Sequence, residues 1–275
     1  LLSDILLQIF LRKGMTMNYF DESIINALNG FSRVSEAFDY FMALLISNYL
    51  VKGGILMTIL WWFWFWDKND KKQNQPLREL KGKKQNQPVR ECKEEKQNKL
   101  LRERIVLTLV ACLIAIFLGR FLAYVLPFRL RPLQGMVNFI APYGIDPNAF
   151  GSWSSFPSDH AVLFFALATG IFLISRMTGT LVTIYILLII CFPRVYCGLH
   201  YPTDIFAGAL VGVGIGWLVI TTKISKYISQ PAILWLSKEP RSFYACFFLL
   251  TYQIATMFDP VREIGTFFMC LILPV

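Results

Sequence analysis

Apolar runs of spanning length alternate with short polar breaks over most of this chain. A membrane crossing needs about 20 apolar residues. On that measure the runs at about Tyr49–Trp66, Ile105–Pro127, Ala161–Ser175, Thr180–Phe192, Asp204–Thr222 and Phe243–Met257 predict an all-α, polytopic transmembrane helix bundle of about five to six spans. Ile264–Val275 is too short to count as another. The first run ends in Trp61-Trp62-Phe63-Trp64-Phe65-Trp66, an aromatic cluster of the kind that settles at a membrane interface. Ahead of it, Phe20–Ser47 mixes apolar residues with Asp21, Glu22, Arg33, Glu36 and Asp39 at helix-like spacing. That spacing predicts one or two interfacial helices placed to form a lid. The chain therefore divides into 1–48 (N-terminal interfacial helices or lid), 49–66 (first span), 67–104 (polar insert), 105–222 (membrane core) and 223–275 (C-terminal loop and last span).

Composition strengthens the membrane reading, since 55% hydrophobic content, 16% charge and a mean hydropathy of +0.50 exclude an ordinary soluble domain. The net charge of +9 does not indicate nucleic acid, because the basic residues gather between spans and form no stripe interleaved with exposed aromatics. Six cysteines include no CxxC pair, and Cys112, Cys191, Cys246 and Cys270 sit in apolar spans. A disulfide framework or zinc site is not expected. Residues 1–16 lack the pattern of a cleavable signal, since Arg12 and Lys13 follow the apolar stretch.

The polar insert holds a twelve-residue repeat: KKQNQPLRELKG from Lys71, KKQNQPVRECKE from Lys83, and a decayed EKQNKLLRERIV from Glu95. Between Asp67 and Arg104 there are 13 Lys or Arg against 7 acids. Positive loops stay inside, so the insert is expected in the cytoplasm, either docked on anionic lipid or simply solvated. The following span then travels outward. Lys223, Lys226, Lys238 and Arg241 return to the positive side and give the same topology. Arg120, a charge within a span, is expected to face a wet or acidic interior or to snorkel outward.

Three polar islands fall on the outer face under this topology: Phe128–Pro132, Phe156–His160, and Arg194-x5-His200-x3-Asp204. Ionisable groups at the mouths of apolar spans point to function. His200 and Asp204 stand one helical turn apart, so the carboxylate can hold one ring nitrogen and aim the other's lone pair at a substrate. His200 is then the candidate nucleophile. Pro202 lies between the two, so the pairing depends on where that helix starts. Ser158 is a good N-cap, and the free N–H groups behind it form a phosphate cradle over which His160 stands as general acid. Arg131 and Arg194, with Arg129 as a further candidate, supply guanidinium forks for phosphate oxygens. Each of these residues alone also has a structural explanation, since arginines at span mouths commonly contact lipid head groups. Their convergence in a chain with two histidines favours a site.

From about Arg120 to Trp217 the chain resembles the type 2 phosphatidic acid phosphatase (PAP2) family, whose wider superfamily includes the vanadium haloperoxidases. Pro157–His160 is similar to the family's Pro-Ser-x-His motif, and Pro193–Asp204 to its Ser-Arg-x5-His-x3-Asp motif. The resemblance implies a catalytic core over 105–222 in which His200 forms a phosphohistidine and Asp204 orients it. His160 would protonate the leaving group and later activate water, while Arg131, Ser158 and Arg194 bind phosphate. No metal and no cofactor is implied. Three positions depart from the pattern. Tyr124 stands where the family's Lys-x6-Arg-Pro motif has lysine, so Arg129 or Arg120 would replace that contact or it is absent. Pro193 stands in place of Ser, and Asp159 in place of Gly, where a carboxylate repels phosphate unless an arginine neutralises it. No GxxxxGK[ST], Cys-x5-Arg or HExxH sequence offers competing chemistry.

The expectation is a multi-pass cell-membrane phosphatase with its site on the extracytoplasmic face. It would hydrolyse a lipid phosphate or diphosphate monoester of the phosphatidate, phosphatidylglycerol phosphate or polyprenyl diphosphate class. Its partners are the lipid substrate and the bilayer, with no nucleic acid and no oligomeric state assigned. A phosphotransferase on the same scaffold and a non-catalytic lipid-binding or transport protein are the alternatives. The extent of membrane embedding argues against a haloperoxidase.

Overall fold

A computed structural model describes residues 18–66, 87–147, 153–223 and 225–272. The reading of residues 1–16 and that of the first repeat copy with the start of the second lie outside the described residues. Among those described there are helices and no strands. In chain order they are α1 (Tyr19–Asn29), α2 (Glu36–Ser47), α3 (Leu50–Trp64), α4 (Gln87–Val125), the single turn α5 (Pro132–Gly135), α6 (Asp159–Ile174), α7 (Arg176–Tyr196), α8 (Pro202–Thr221), α9 (Ser225–Lys238), α10 (Pro240–Ala255) and α11 (Asp259–Ile272).

Residues 95–125 of α4, α7 and α8 are long and apolar enough to cross a bilayer. The pair α2 and α3, bent by 63°, gives a fourth candidate, and α6 is apolar but shorter at 16 residues. Helix α4 runs back through the third repeat copy. Its Arg104 donates to the Leu173 carbonyl at 2.6 Å and so satisfies the C-terminal end of α6. Arg102 lies 5.8 Å above the Trp64 ring. The second half of this copy thus packs on the bundle, while Glu95, Lys96, Gln97, Lys99 and Leu100 stay exposed.

Helix α6 lies at the centre, antiparallel to α4 and parallel to α8. Gly208, Gly212 and Gly216 recur every fourth residue on the face of α8 that meets Ser158, Val162 and Ala166 of α6. Small residues at this spacing let two backbones approach closely. A Cβ at Gly212 would stand 2.3 Å from the Val162 carbonyl oxygen, whereas Gly214 has nothing within 4 Å. Gly212→Ala is therefore expected to destabilise the bundle by about 1–3 kcal/mol, read as a lower thermal midpoint in detergent. Gly214→Ala should leave that midpoint unchanged or raised. Equal midpoints for the two variants would contradict this packing.

Two readings of the polar pattern change. The aromatic cluster is not wholly an interfacial belt. Trp64 is 1% exposed, stacks on Phe243 and packs against Phe247, while Trp62 and Phe65 face outward. The helical period that turns Leu60, Phe63 and Trp64 toward the core leaves Trp62, Phe65 and Trp66 outside, with Trp61 half-buried against Phe247. In the N-terminal helices Asp21 and Asp39 are fully buried. Asp21 shares a face with Ile25 and Asn29, and Asp39 with Met42 and Ile46. These acids bind the core: Asp39 accepts from the backbone N–H of Arg33 and of Tyr143 and from the Tyr196 hydroxyl. Helices α1 and α2 thus clamp the loops around the site.

Candidate active site

The first turns of α3, α6 and α8 and the last turns of α4 and α7 meet at one end of the bundle. There the ends of α3, α4, α6 and α7, the loops that lead into α6 and α8 and the first turn of α11 enclose a cavity of about 360 Å³. Arg131, Asp159, His160, Arg194 and His200 line it, joined by Lys52, Arg120, Asp259 and Arg262.

His200 is 3% exposed and lies in the turn between α7 and α8. Gly198 makes that turn with φ +68°, where a Cβ would stand 2.5 Å from the Phe139 ring. The Gly198 carbonyl accepts from Leu133 N–H at 2.9 Å, and Arg131 Nη1 donates to the Leu199 carbonyl at 3.0 Å. These bonds bring Arg131 beside the histidine turn. His200 Nδ1 lies 2.8 Å from the Ser155 carbonyl oxygen. A carbonyl can only accept, so Nδ1 carries the proton and Nε2 keeps its lone pair.

Asp204 does not hold the ring directly. Its nearest oxygen is 3.9 Å from Nδ1, beyond hydrogen-bond reach, because α8 starts at Pro202 and turns the carboxylate inward. There it accepts from Tyr201 N–H at 2.8 Å and pairs with Arg129. The contact expected of Asp204 is made by the Ser155 carbonyl. Asp204 fixes the turn behind His200 instead.

Arg129, the further phosphate-binding candidate, does not line this cavity. Its guanidinium is buried between Asp204 and Asp21, 2.7 Å from the latter, and its plane lies 4.0 Å over the Tyr201 ring. Asp21 also accepts from Thr203 N–H at 3.0 Å. This buried network ties α1 to the start of α8. Ser158 is the N-cap that its position suggested: it is fully buried, and its hydroxyl accepts from Ala161 N–H at 3.4 Å. It sets the helix start and leaves the cavity wall to Pro157, Asp159 and His160.

His160 Nδ1 lies 2.7 Å from Asp159 Oδ1, the same oxygen that accepts from His160 N–H at 2.8 Å. The carboxylate that should have repelled phosphate is thus turned onto the imidazole. There it can accept from a protonated Nδ1, which leaves Nε2 as the free ring nitrogen. Arg194 is 2% exposed, bonds the Ile190 carbonyl at 3.2 Å one turn back and reaches the cavity. Arg120 faces the cavity as well and donates to the Met257 carbonyl at 2.7 Å.

Burial holds the His200 imidazole well below its ordinary pKa of 6.5, and the charges of Arg131 and Arg194 add to this. The folded chain then refuses a proton that the unfolded chain accepts. This ring's contribution to stability is therefore complete above pH 6.5 and is lost as the pH falls below that value. With two histidines in the chain, ¹⁵N-histidine NMR in detergent resolves both rings. The His200 ring is expected to stay neutral, as the Nδ1–H tautomer, at and below pH 6.5. Protonation at or above pH 6.5 would contradict this environment.

Sequence reasoning missed Lys52, Tyr49, Asp259 and Arg262. Tyr49 donates to Asp259 at 2.9 Å, and Asp259 pairs with Arg262 at 2.9 Å. Lys52 carried a legible signal, being a single charge three residues into an apolar span. The residues from 259 onward did not, because their run is too short to place.

Residues 104–227 match the profile of the PAP2 superfamily. The bacitracin transport permease protein BcrC of Bacillus licheniformis is 33% identical over 51% of this chain and 66% of its own length. An undecaprenyl-diphosphatase of Sulfolobus acidocaldarius is 34% identical over 43% of this chain and 55% of its own. A lipid A 4'-phosphatase of Bacteroides thetaiotaomicron is 44% identical over 32% and 43% respectively. The chain thus spans roughly half the length of these relatives.

Proposed function

The core of this chain, residues 104–227, belongs to the PAP2 superfamily, and on that premise we propose that the protein is a membrane phosphatase acting on a lipid phosphate or diphosphate monoester. The observation that carries this reading is the pair of differently held histidines on one cavity: His200 with Nδ1 bound to a carbonyl, and His160 with Nδ1 bound to a carboxylate. One ring is prepared to donate an electron pair and the other to donate a proton.

In the first step His200 Nε2 attacks phosphorus while the bond to the leaving oxygen breaks. His160 Nε2–H gives that oxygen its proton. Arg131 and Arg194 stabilise the charge on the equatorial oxygens. In the second step His160, now neutral and still held by Asp159, takes a proton from water. The water oxygen bonds to phosphorus, the N–P bond breaks, and neutral His200 is restored.

Under this reading the chain is a multi-pass cell-membrane protein, with α3, α4, α6, α7, α8 and α10 crossing in alternate directions. The cavity opens on the extracytoplasmic face, and the basic repeat is cytoplasmic. A substrate with its head at the interface and its tail in the bilayer suits that placement. The proposal is tested by phosphate release in detergent with EDTA present, using phosphatidate, phosphatidylglycerol phosphate and a polyprenyl diphosphate side by side. At least one lipid should release phosphate. Release from none of them would overturn the reading.

A further inference from the structure

We propose that Lys52, which lies outside the PAP2 core, binds the substrate phosphate and takes the place left empty by Tyr124. This rests on the phosphatase reading above and adds a ligand to the same site. The position where the family has lysine holds a tyrosine that is 87% exposed and does not line the cavity. Lys52 does line it, although it is 6% exposed and sits in the first turn of α3.

Its surroundings are unusual for a buried ammonium. Among the described residues it makes no hydrogen bond and no ion pair. Its one close partner is the Tyr49 ring, whose centroid lies 4.4 Å from Nζ. Asp159 and Asp259 act on it electrostatically without touching it, as does Arg194. A buried charge normally finds a carboxylate, so an ammonium aimed at a cavity with only an aromatic face behind it has its acceptor still to come. Lys52 shares that cavity with both histidines, Arg131 and Arg194, which defines the acceptor as the phosphoryl group under attack.

The backbone holds Lys52 there. The first turn of α3 is a π turn, Leu50–Gly54, of the kind that re-aims side chains at functional sites. Gly53 lets this turn sit directly against α10, where a Cβ would stand 2.3 Å from the Ala255 carbonyl oxygen. The Tyr185 hydroxyl bonds the Val51 carbonyl from the other side. A lysine fixed between two neighbouring helices acts as a positioned point charge.

The test compares wild type, Lys52→Gln and Lys52→Arg for lipid-phosphate turnover and for inhibition by inorganic phosphate, with thermal midpoints measured alongside. Lys52→Gln is expected to weaken phosphate inhibition and lower kcat/KM by about 10- to 100-fold at an unchanged midpoint. Lys52→Arg should recover most of that loss. Phosphate inhibition of Lys52→Gln within twofold of wild type would overturn the proposal while leaving the phosphatase reading intact. Absence of turnover in the wild type would remove that reading instead. Should Lys52→Gln not fold, amine-reactive labelling of the wild type decides: inorganic phosphate should slow modification of Lys52, and no protection would overturn the assignment.

Discussion

Replacing His200 by alanine is expected to lower lipid-phosphate release by about 10⁴- to 10⁶-fold, with the thermal midpoint close to that of the wild type. The loss is large because the His200 ring, held through Nδ1 by the Ser155 carbonyl, keeps its Nε2 lone pair for the attack on phosphorus. His160→Ala should cost less with a substrate whose leaving group needs no proton, since only the second step then requires His160. With a lipid alcohol as leaving group it should cost about 10²- to 10⁴-fold. The comparison is made in EDTA on matched detergent preparations. Release by His200→Ala within tenfold of wild type would contradict its assignment as nucleophile.

Arg129→Met is expected to lower stability by about 3–5 kcal/mol, because it leaves Asp21 and Asp204 buried against each other without a cation. Asp21→Ala should lower both the thermal midpoint and kcat in the same direction, since it opens the same network from the other end. That parallel separates a positioning role from phosphate binding. Were Arg129 a phosphate ligand, Arg129→Met would raise KM for the substrate and Asp21→Ala would be without consequence for activity. In the network reading both variants lose kcat because the turn carrying His200 loosens, while inhibition by inorganic phosphate in the surviving folded fraction stays near wild type.

The helical bundle was legible because spanning runs announce themselves by length and apolarity. The two histidines and Arg194 were legible because charge at a span mouth needs a reason. What could not be read was the partner of each side chain. The His200–Asp204 spacing suggested a direct contact, but Pro202 starts α8 so that the carboxylate faces Arg129, and a backbone carbonyl from residue 155 takes the ring instead. Carbonyls carry no sequence signature. Asp21 and Asp39 looked like the polar side of interfacial helices because each charged residue was considered singly. Their register with Ile25 and Met42 marked them as buried. Lys52 shows the opposite: its signal was the same as that of Arg120, yet the family motifs fall within 120–217 and have no position for a group supplied from another part of the chain.

The central chemical claim is the covalent step on His200, and it is tested by rapid quenching of the enzyme during turnover of ³²P-labelled lipid phosphate in EDTA. The predicted result is label on His200, stable to base and released by acid, in wild type, and in greater amount in His160→Ala with a substrate that needs no leaving-group proton. Label on another residue, or turnover with no labelled protein in either form, would contradict it.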